Sequence, residues 1–340
     1  MEKKPSIRYF EYVKQNFWPY KNDVSVVSDV HLSFPDQDIL QDIRNIAYGN
    51  SKRVIFLGDL VGSSLEEIAR DKFYDGVISQ AKDFLEIEDS REISNIKLGE
   101  HFRQSYLDLV RWEKGVTGED FDQNISNFKI GEDLKDLVKI GIVGSYLSKR
   151  FPKKVTEKIT AERKVNMGVF VEMARFLQGT GKDIRIIQGN CDTRGPVLAR
   201  DCLENEGFKM VEDLEYFEGK DSVYCMIGYD EVNNIGKNIQ IKGKIEEIKN
   251  IGKNIVLFTH GELSWEPYKL FNDSKTNDHE RVTKNMELLV NMLEPRVVVT
   301  GHVHKNVIDE AGSWDTLRYF WQTKSGKEVT VYGLSQRQIL

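Results

Sequence analysis

Five short β-branched runs constrain this chain more than any other feature: VSVV at 24–27, VIFL at 54–57, IRII at 184–187, IVLF at 255–258 and RVVV at 296–299. Runs of this length and type, bounded by turn residues, read as buried strands. Between them lie segments with helical spacing, such as VNMGVFVEMARFL at 165–177 and NMELLVNMLE at 285–294. That alternation builds an α/β sheet protein. Each run also stops on a polar cluster: Ser28-Asp29-Val30-His31, Gly58-Asp59, Gly189-Asn190-Cys191-Asp192, Thr259-His260-Gly261 and Gly301-His302-Val303-His304. The carboxyl ends of strands are where open α/β sheets gather their chemistry.

Four of the six histidines fall at these ends. The clusters supply three oxygen donors, Asp29, Asp59 and Asn190, and four imidazoles, His31, His260, His302 and His304. Carboxylate and amide oxygens mixed with neutral imidazole suit borderline divalent ions such as Mn²⁺, Fe²⁺, Zn²⁺ or Ni²⁺, and seven ligands exceed what one ion takes. Two metal ions are therefore expected. His101 lies in the helical pattern GEHFRQSYLDLVRW, far from any cluster, and reads as a packing or surface residue. His279 lies in a polar segment and reads as solvent-exposed.

Taken in order, these clusters resemble the signature of the calcineurin-like metallophosphoesterase superfamily: Asp-x-His, Gly-Asp, Gly-Asn-His-Asp or Glu, a lone His, then Gly-His-x-His. The resemblance covers about 1–62 and 166–340. It implies a four-layer αββα sandwich of two mixed β-sheets. Carried over position by position, it also implies that Asp29, His31 and His304 hold the first metal, that Asn190, His260 and His302 hold the second, and that Asp59 bridges them. A carboxylate suits the bridge because each of its oxygens can bind a separate ion. Two such cations clamp a phosphate and activate a shared hydroxide as nucleophile. Mn²⁺ is the expected metal.

Cys191 departs from the pattern, standing where much of the superfamily has a histidine that protonates the leaving oxygen. With a reference pKa near 8.5, a thiol is the poorer acid at neutral pH. A branch of small prokaryotic phosphodiesterases that favours activated diesters also carries Gly-Asn-Cys-Asp, and Cys191-Asp192-Thr193-Arg194 resembles that branch. Cys191 is thus either a weak catalytic group or a space-filler beside the metals. Asp192 is expected to orient a ligand, and Arg194 either binds a phosphate oxygen or makes a surface ion pair.

These readings favour a dinuclear phosphodiesterase acting on a small-molecule or nucleotide diester. The alternatives are a nuclease, a phosphomonoesterase and, from outside the enzymes, a scaffold built on the same fold. A formal charge of −6 gives no global basic field for holding long nucleic acid. No stretch approaches the roughly 18 apolar residues of a membrane span, no leader-like apolar segment opens the chain, and three scattered cysteines make no disulfide framework. The expectation is a cytoplasmic protein with no membrane partner.

From Asp59 to Asn190 is 131 positions, whereas the small phosphodiesterases this chain resembles cross the same gap with one helix, which implies about 100 extra residues. Helical spacings within it predict a helical cap over 63–165, inserted between core segments 1–62 and 166–340. Its end, KRFPKKVTEKITAERK at 149–164, is basic, and faces either solvent or an anionic partner. The cap is also a candidate homodimer surface. Beyond Arg194, FKMV, LEYFEG, SVYCMIG, KNVID, TLRYFWQ and VTVYG read as strands of the second sheet.

Overall fold

The structure, a computed structural model, describes residues 7–13, 18–28, 30–31, 37–62, 152–190, 192, 199–235, 238–263, 277–301, 316–334 and 340. In chain order the elements are β1 (Ile7–Val13), β2 (Val24–Val27), α1 (Gln37–Tyr48), β3 (Arg53–Phe56), α2 (Pro152–Gly179), β4 (Asp183–Ile187), α3 (Ala199–Asn205) and β5 (Met210–Val211). They continue as β6 (Glu215–Glu218), β7 (Ser222–Ile227), α4 (Tyr229–Asn234), α5 (Ile239–Asn250), β8 (Asn254–Thr259), α6 (Asn277–Leu293), β9 (Val297–Thr300), β10 (Thr316–Gln322) and β11 (Glu328–Gly333).

Two sheets form among the described residues. One has the order β2-β3-β4-β5 and is parallel throughout. The other, β1-β10-β11-β9-β8-β7-β6, is mixed: its centre is parallel and its flanks are antiparallel. The five strands expected from the apolar runs all form, each within a residue of the run. Met210–Val211, expected in the second sheet, instead extends the first by pairing with β4. Pairing with β10 makes Ile7–Val13 a strand that the sequence patterning did not single out.

Each strand alternates its side chains between two faces, so an unbroken apolar run implies burial on both. Three core clusters show why these runs carry no polar face. Val24 and Val26 of β2, Ile55 of β3, Ile187 of β4, Tyr224 and Met226 of β7, and Val256 and Phe258 of β8 fill the space between the sheets. Their neighbours Val27, Val54, Phe56 and Ile186 face α1, α2 and α3. On the other side, Val223, Cys225, Leu257 and Val298 face α4, α5 and α6. The result is helix, sheet, sheet, helix. The helices present matching stripes, Ile39, Ile43 and Ile46 on α1 and Met167, Phe170, Ala174 and Leu177 on α2, and Phe170 meets Phe56 edge-on with ring centroids 5.0 Å apart.

By internal contacts the chain divides into two compact units, 1–62 with 164–340, and 63–163. The expected helical cap lies outside the described residues up to 151. The boundary expected at 165/166 falls inside α2, which runs unbroken from Pro152 to Gly179. Among the described residues no helix is long and apolar enough to cross a membrane. Cys202 lies half-buried on α3 and Cys225 is buried on β7.

Candidate metal centre

His31 follows β2, Asp59 follows β3, Asn190 follows β4 and His260 follows β8. Because β2, β3 and β4 are parallel and in register, Val27 beside Phe56 and Phe56 beside Ile186, their carboxyl ends share one edge. The loops there are unusually close. Gly58 has φ of +91°, and a Cβ on it would lie 2.5 Å from the Cα and N of Gly189. A Cβ on Gly189 would lie 2.4 Å from both the backbone N and Oδ1 of Asp59. Only glycine at both positions lets the ends of β3 and β4 touch.

Two of the expected ligands hold left-handed backbone: His31 at φ 39° and Asp59 at φ 49°. Such conformations cost a non-glycine residue roughly 1–3 kcal/mol and persist only where the surroundings enforce them. Here the enforcement is visible. The His31 N–H donates to the Asp59 carbonyl at 2.8 Å. The Asp192 carboxylate, 1% exposed, accepts the Asp59 and Gly189 N–H groups on Oδ2 at 3.0 and 2.8 Å and the Leu60 N–H on Oδ1 at 3.0 Å. Burial, reinforced by the neighbouring charge of Asp59, raises the Asp192 pKa to about 6 against the opposing pull of the Leu60 and Gly189 amides. Asp192 acts through the backbone that carries Asp59.

From the second sheet, His260 reaches across to the first. Its Nδ1 lies 2.6 Å from the Leu57 carbonyl, which places the ring proton on Nδ1 and turns the Nε2 lone pair towards the site. Nε2 stands 2.7 Å from Asn190 Oδ1 and 3.5 Å from Asp59 Oδ2. His31 Nε2 is likewise 3.5 Å from Asp59 Oδ2. Asp59 and His260 are fully buried and His31 is 5% exposed. Lone pairs converging from a buried carboxylate, two buried imidazoles and a half-buried amide repel one another unless positive charge, as protons or a cation, lies among them. The donor chemistry fits a borderline divalent ion.

Among the described residues, no group of three or more His, Cys, Asp or Glu side chains is placed to hold a metal ion. The other expected ligands, Asp29, His302 and His304, lie outside the described residues, as do Cys191, Arg194, His101 and the side chain of His279. The structure thus brings together His31, Asp59, Asn190 and His260, with Asp192 behind them. It adds three residues that the sequence did not flag. Gln188 is buried just before the Gly189-Asn190 turn, the Tyr229 ring meets the His260 imidazole edge-on with centroids 5.6 Å apart, and the Glu262 carboxylate is fully buried two positions after His260. Gln188 and Glu262 each adjoin an expected ligand cluster. Tyr229 is close to the site only in three dimensions, so no local signal marks it.

No family model matches the chain, and no curated protein does. Among solved structures, it is similar to a putative 5′-nucleotidase from Staphylococcus aureus in complex with alpha-ketoglutarate, at 11% identity and a TM-score of 0.39, over 92% of this chain and 54% of that one. It is also similar to a purple acid phosphatase from yellow lupin (Lupinus luteus) seeds, at 9% identity and a TM-score of 0.38, over 91% of this chain and 53% of that one. The chain spans about half the length of each. Likeness this distant decides neither chemistry nor substrate.

Proposed function

We propose that this chain is a dinuclear metal-dependent phosphoesterase, most active on phosphodiesters of small molecules or nucleotides. The observation that carries the reading is the meeting of His260 from one sheet with Asn190, Asp59 and His31 from the other, all through lone-pair atoms. Bound divalent cations would supply Lewis acidity towards a phosphoryl oxygen and a water acidic enough to attack near neutral pH. Mn²⁺ suits this donor set.

The chain's own groups divide the remaining work. Asp59 would help hold the cations through its carboxylate oxygens. Asn190 contributes a neutral oxygen, limiting the negative charge a phosphate would meet. The Leu57 carbonyl fixes the orientation and tautomer of His260. Asp192 holds the backbone of Asp59 in its left-handed turn. The diester preference rests on Cys191: without a histidine donor there, leaving groups that need no protonation are favoured.

A screen of the metal-reconstituted protein against a bis-aryl phosphodiester, an aryl monoester, cyclic nucleotides and single-stranded DNA tests the reading. Turnover should be fastest on the diester and absent after chelation. Faster monoester turnover would make it a phosphomonoesterase, DNA cleavage would make it a nuclease, and metal uptake without turnover on any substrate would leave a scaffold.

A further inference from the structure

We infer that Gln188 and Tyr229 form a strut that sets the position of the His260 imidazole relative to Asn190, and so the geometry of one of the two metal positions. The inference rests on the metal reading above. The two ligands follow strands of different sheets, His260 after β8 and Asn190 after β4, and among the described residues no backbone ladder joins those sheets. Something must therefore hold their 2.7 Å approach.

Gln188, 2% exposed, lies two positions before Asn190. Its carbonyl accepts the Tyr229 N–H at 3.0 Å and its side-chain Oε1 accepts the Asp230 N–H at 3.1 Å. These are the first two N–H groups of α4, whose N-cap residue, Gly228, makes no side-chain cap of its own. The first turn of any helix leaves such donors without partners within the helix. Here Gln188 of the first sheet satisfies them for a helix that follows β7 of the second.

The helix so anchored carries Tyr229, 2% exposed, against the His260 ring with an interplanar angle of 73°. An edge-on aromatic contact limits rotation of the imidazole about its ring bond. The Leu57 carbonyl fixes the same ring through Nδ1. The ring is thus held from the Leu57 side by a hydrogen bond and from the α4 side by Tyr229. Both are anchored on the first sheet, through β3 and β4 respectively. Gln188 and Tyr229 are positioning residues, acting on the metal only through His260.

Calorimetric titration of the metal-free protein with Mn²⁺ tests this, comparing wild type with Gln188→Met, Tyr229→Leu and Tyr229→Phe. Wild type should show two binding steps. Gln188→Met and Tyr229→Leu should weaken one step by about 10- to 100-fold, the range for groups that orient a ligand, and leave the other unchanged. Tyr229→Phe keeps the ring and should keep both steps. Equal affinity in all four proteins overturns the strut, and so does parallel weakening of both steps with a fall in the melting temperature of the metal-free protein. NMR of the His260 ring proton in the metal-free protein gives a readout independent of metal. A slowly exchanging Nδ1–H in wild type that exchanges fast in Gln188→Met supports the strut, and an unchanged signal overturns it. If wild type takes up no ion, the metal reading fails while the ring-proton measurement still decides the strut.

Discussion

The two ends of the parallel sheet are both polar, yet they are built in opposite ways. At the amino end of its strands, charges meet their opposites. Arg53 and Arg185 both bind Asp183 at 3.2 Å, and the Lys182 ammonium donates to the carbonyls of Gly49 and Ser51. At the carboxyl end, the described groups are acids, an amide and imidazoles, with no lysine or arginine among them. At the amino end each of these cations has an acceptor within the chain. The carboxyl end gathers like-signed lone pairs on strained turns, which the Asp192 carboxylate fixes by accepting backbone amides. This contrast is what the proposed metal centre would explain.

The sharpest way to break this contrast is at Gly189. A methyl group there would collide with the backbone and carboxylate of Asp59, and neither can retreat without parting β3 from β4. Gly189→Ala should lose metal uptake and destabilise the fold by about 3 kcal/mol, at the upper end for an overpacked site, as read by denaturant unfolding. Unchanged stability would contradict the close approach of Gly189 to Asp59.

Next in size is Asp192→Asn. The amide can offer only one oxygen where the carboxylate accepts three N–H groups on two. Stability should fall by about 1–3 kcal/mol, the usual cost of leaving buried donors unmet, with metal affinity falling alongside because the turn at Asp59 loosens. Arg53→Met at the opposite end should behave differently. Its pair with Asp183 is partly exposed, so the loss should stay below about 1 kcal/mol, with both metal positions intact. Equal effects from the two substitutions on metal binding would erase the distinction between the ends.

The smallest effect belongs to Cys225 on β7, remote in chemistry from either end. Burial pushes its thiol pKa far above the ordinary range. The folded thiol therefore keeps its proton at alkaline pH where the unfolded one releases it, so Cys225's contribution to stability falls as pH rises through the ordinary thiol pKa. Between pH 7 and 9.5, wild type should lose slightly more stability than Cys225→Ala, and a thiol reagent should label Cys225 only on unfolding. Rapid labelling of Cys225 in the native protein would contradict its burial.

Much of this was legible because the informative residues are contiguous. A β-branched run and the ligands at its end occupy one short segment, so VIFL followed by Gly58-Asp59 announces both the strand and the edge that carries chemistry. Features set by distant pairing were not. Met210–Val211 joined the parallel sheet because β4 offered it a partner, and Ile7–Val13 is a strand by virtue of β10, more than 300 positions away. Tyr229 carries no motif, and its place against His260 follows from the tie between the first turn of α4 and Gln188.

The central claim is that Asp59 joins two cations, and elemental analysis of the reconstituted protein beside Asp59→Asn tests it most directly. The account predicts two ions per chain in wild type, about one in the variant, and no diester hydrolysis by the variant, because an amide cannot give an anionic oxygen to each of two cations. Two tightly held ions and near-normal turnover in Asp59→Asn would contradict it.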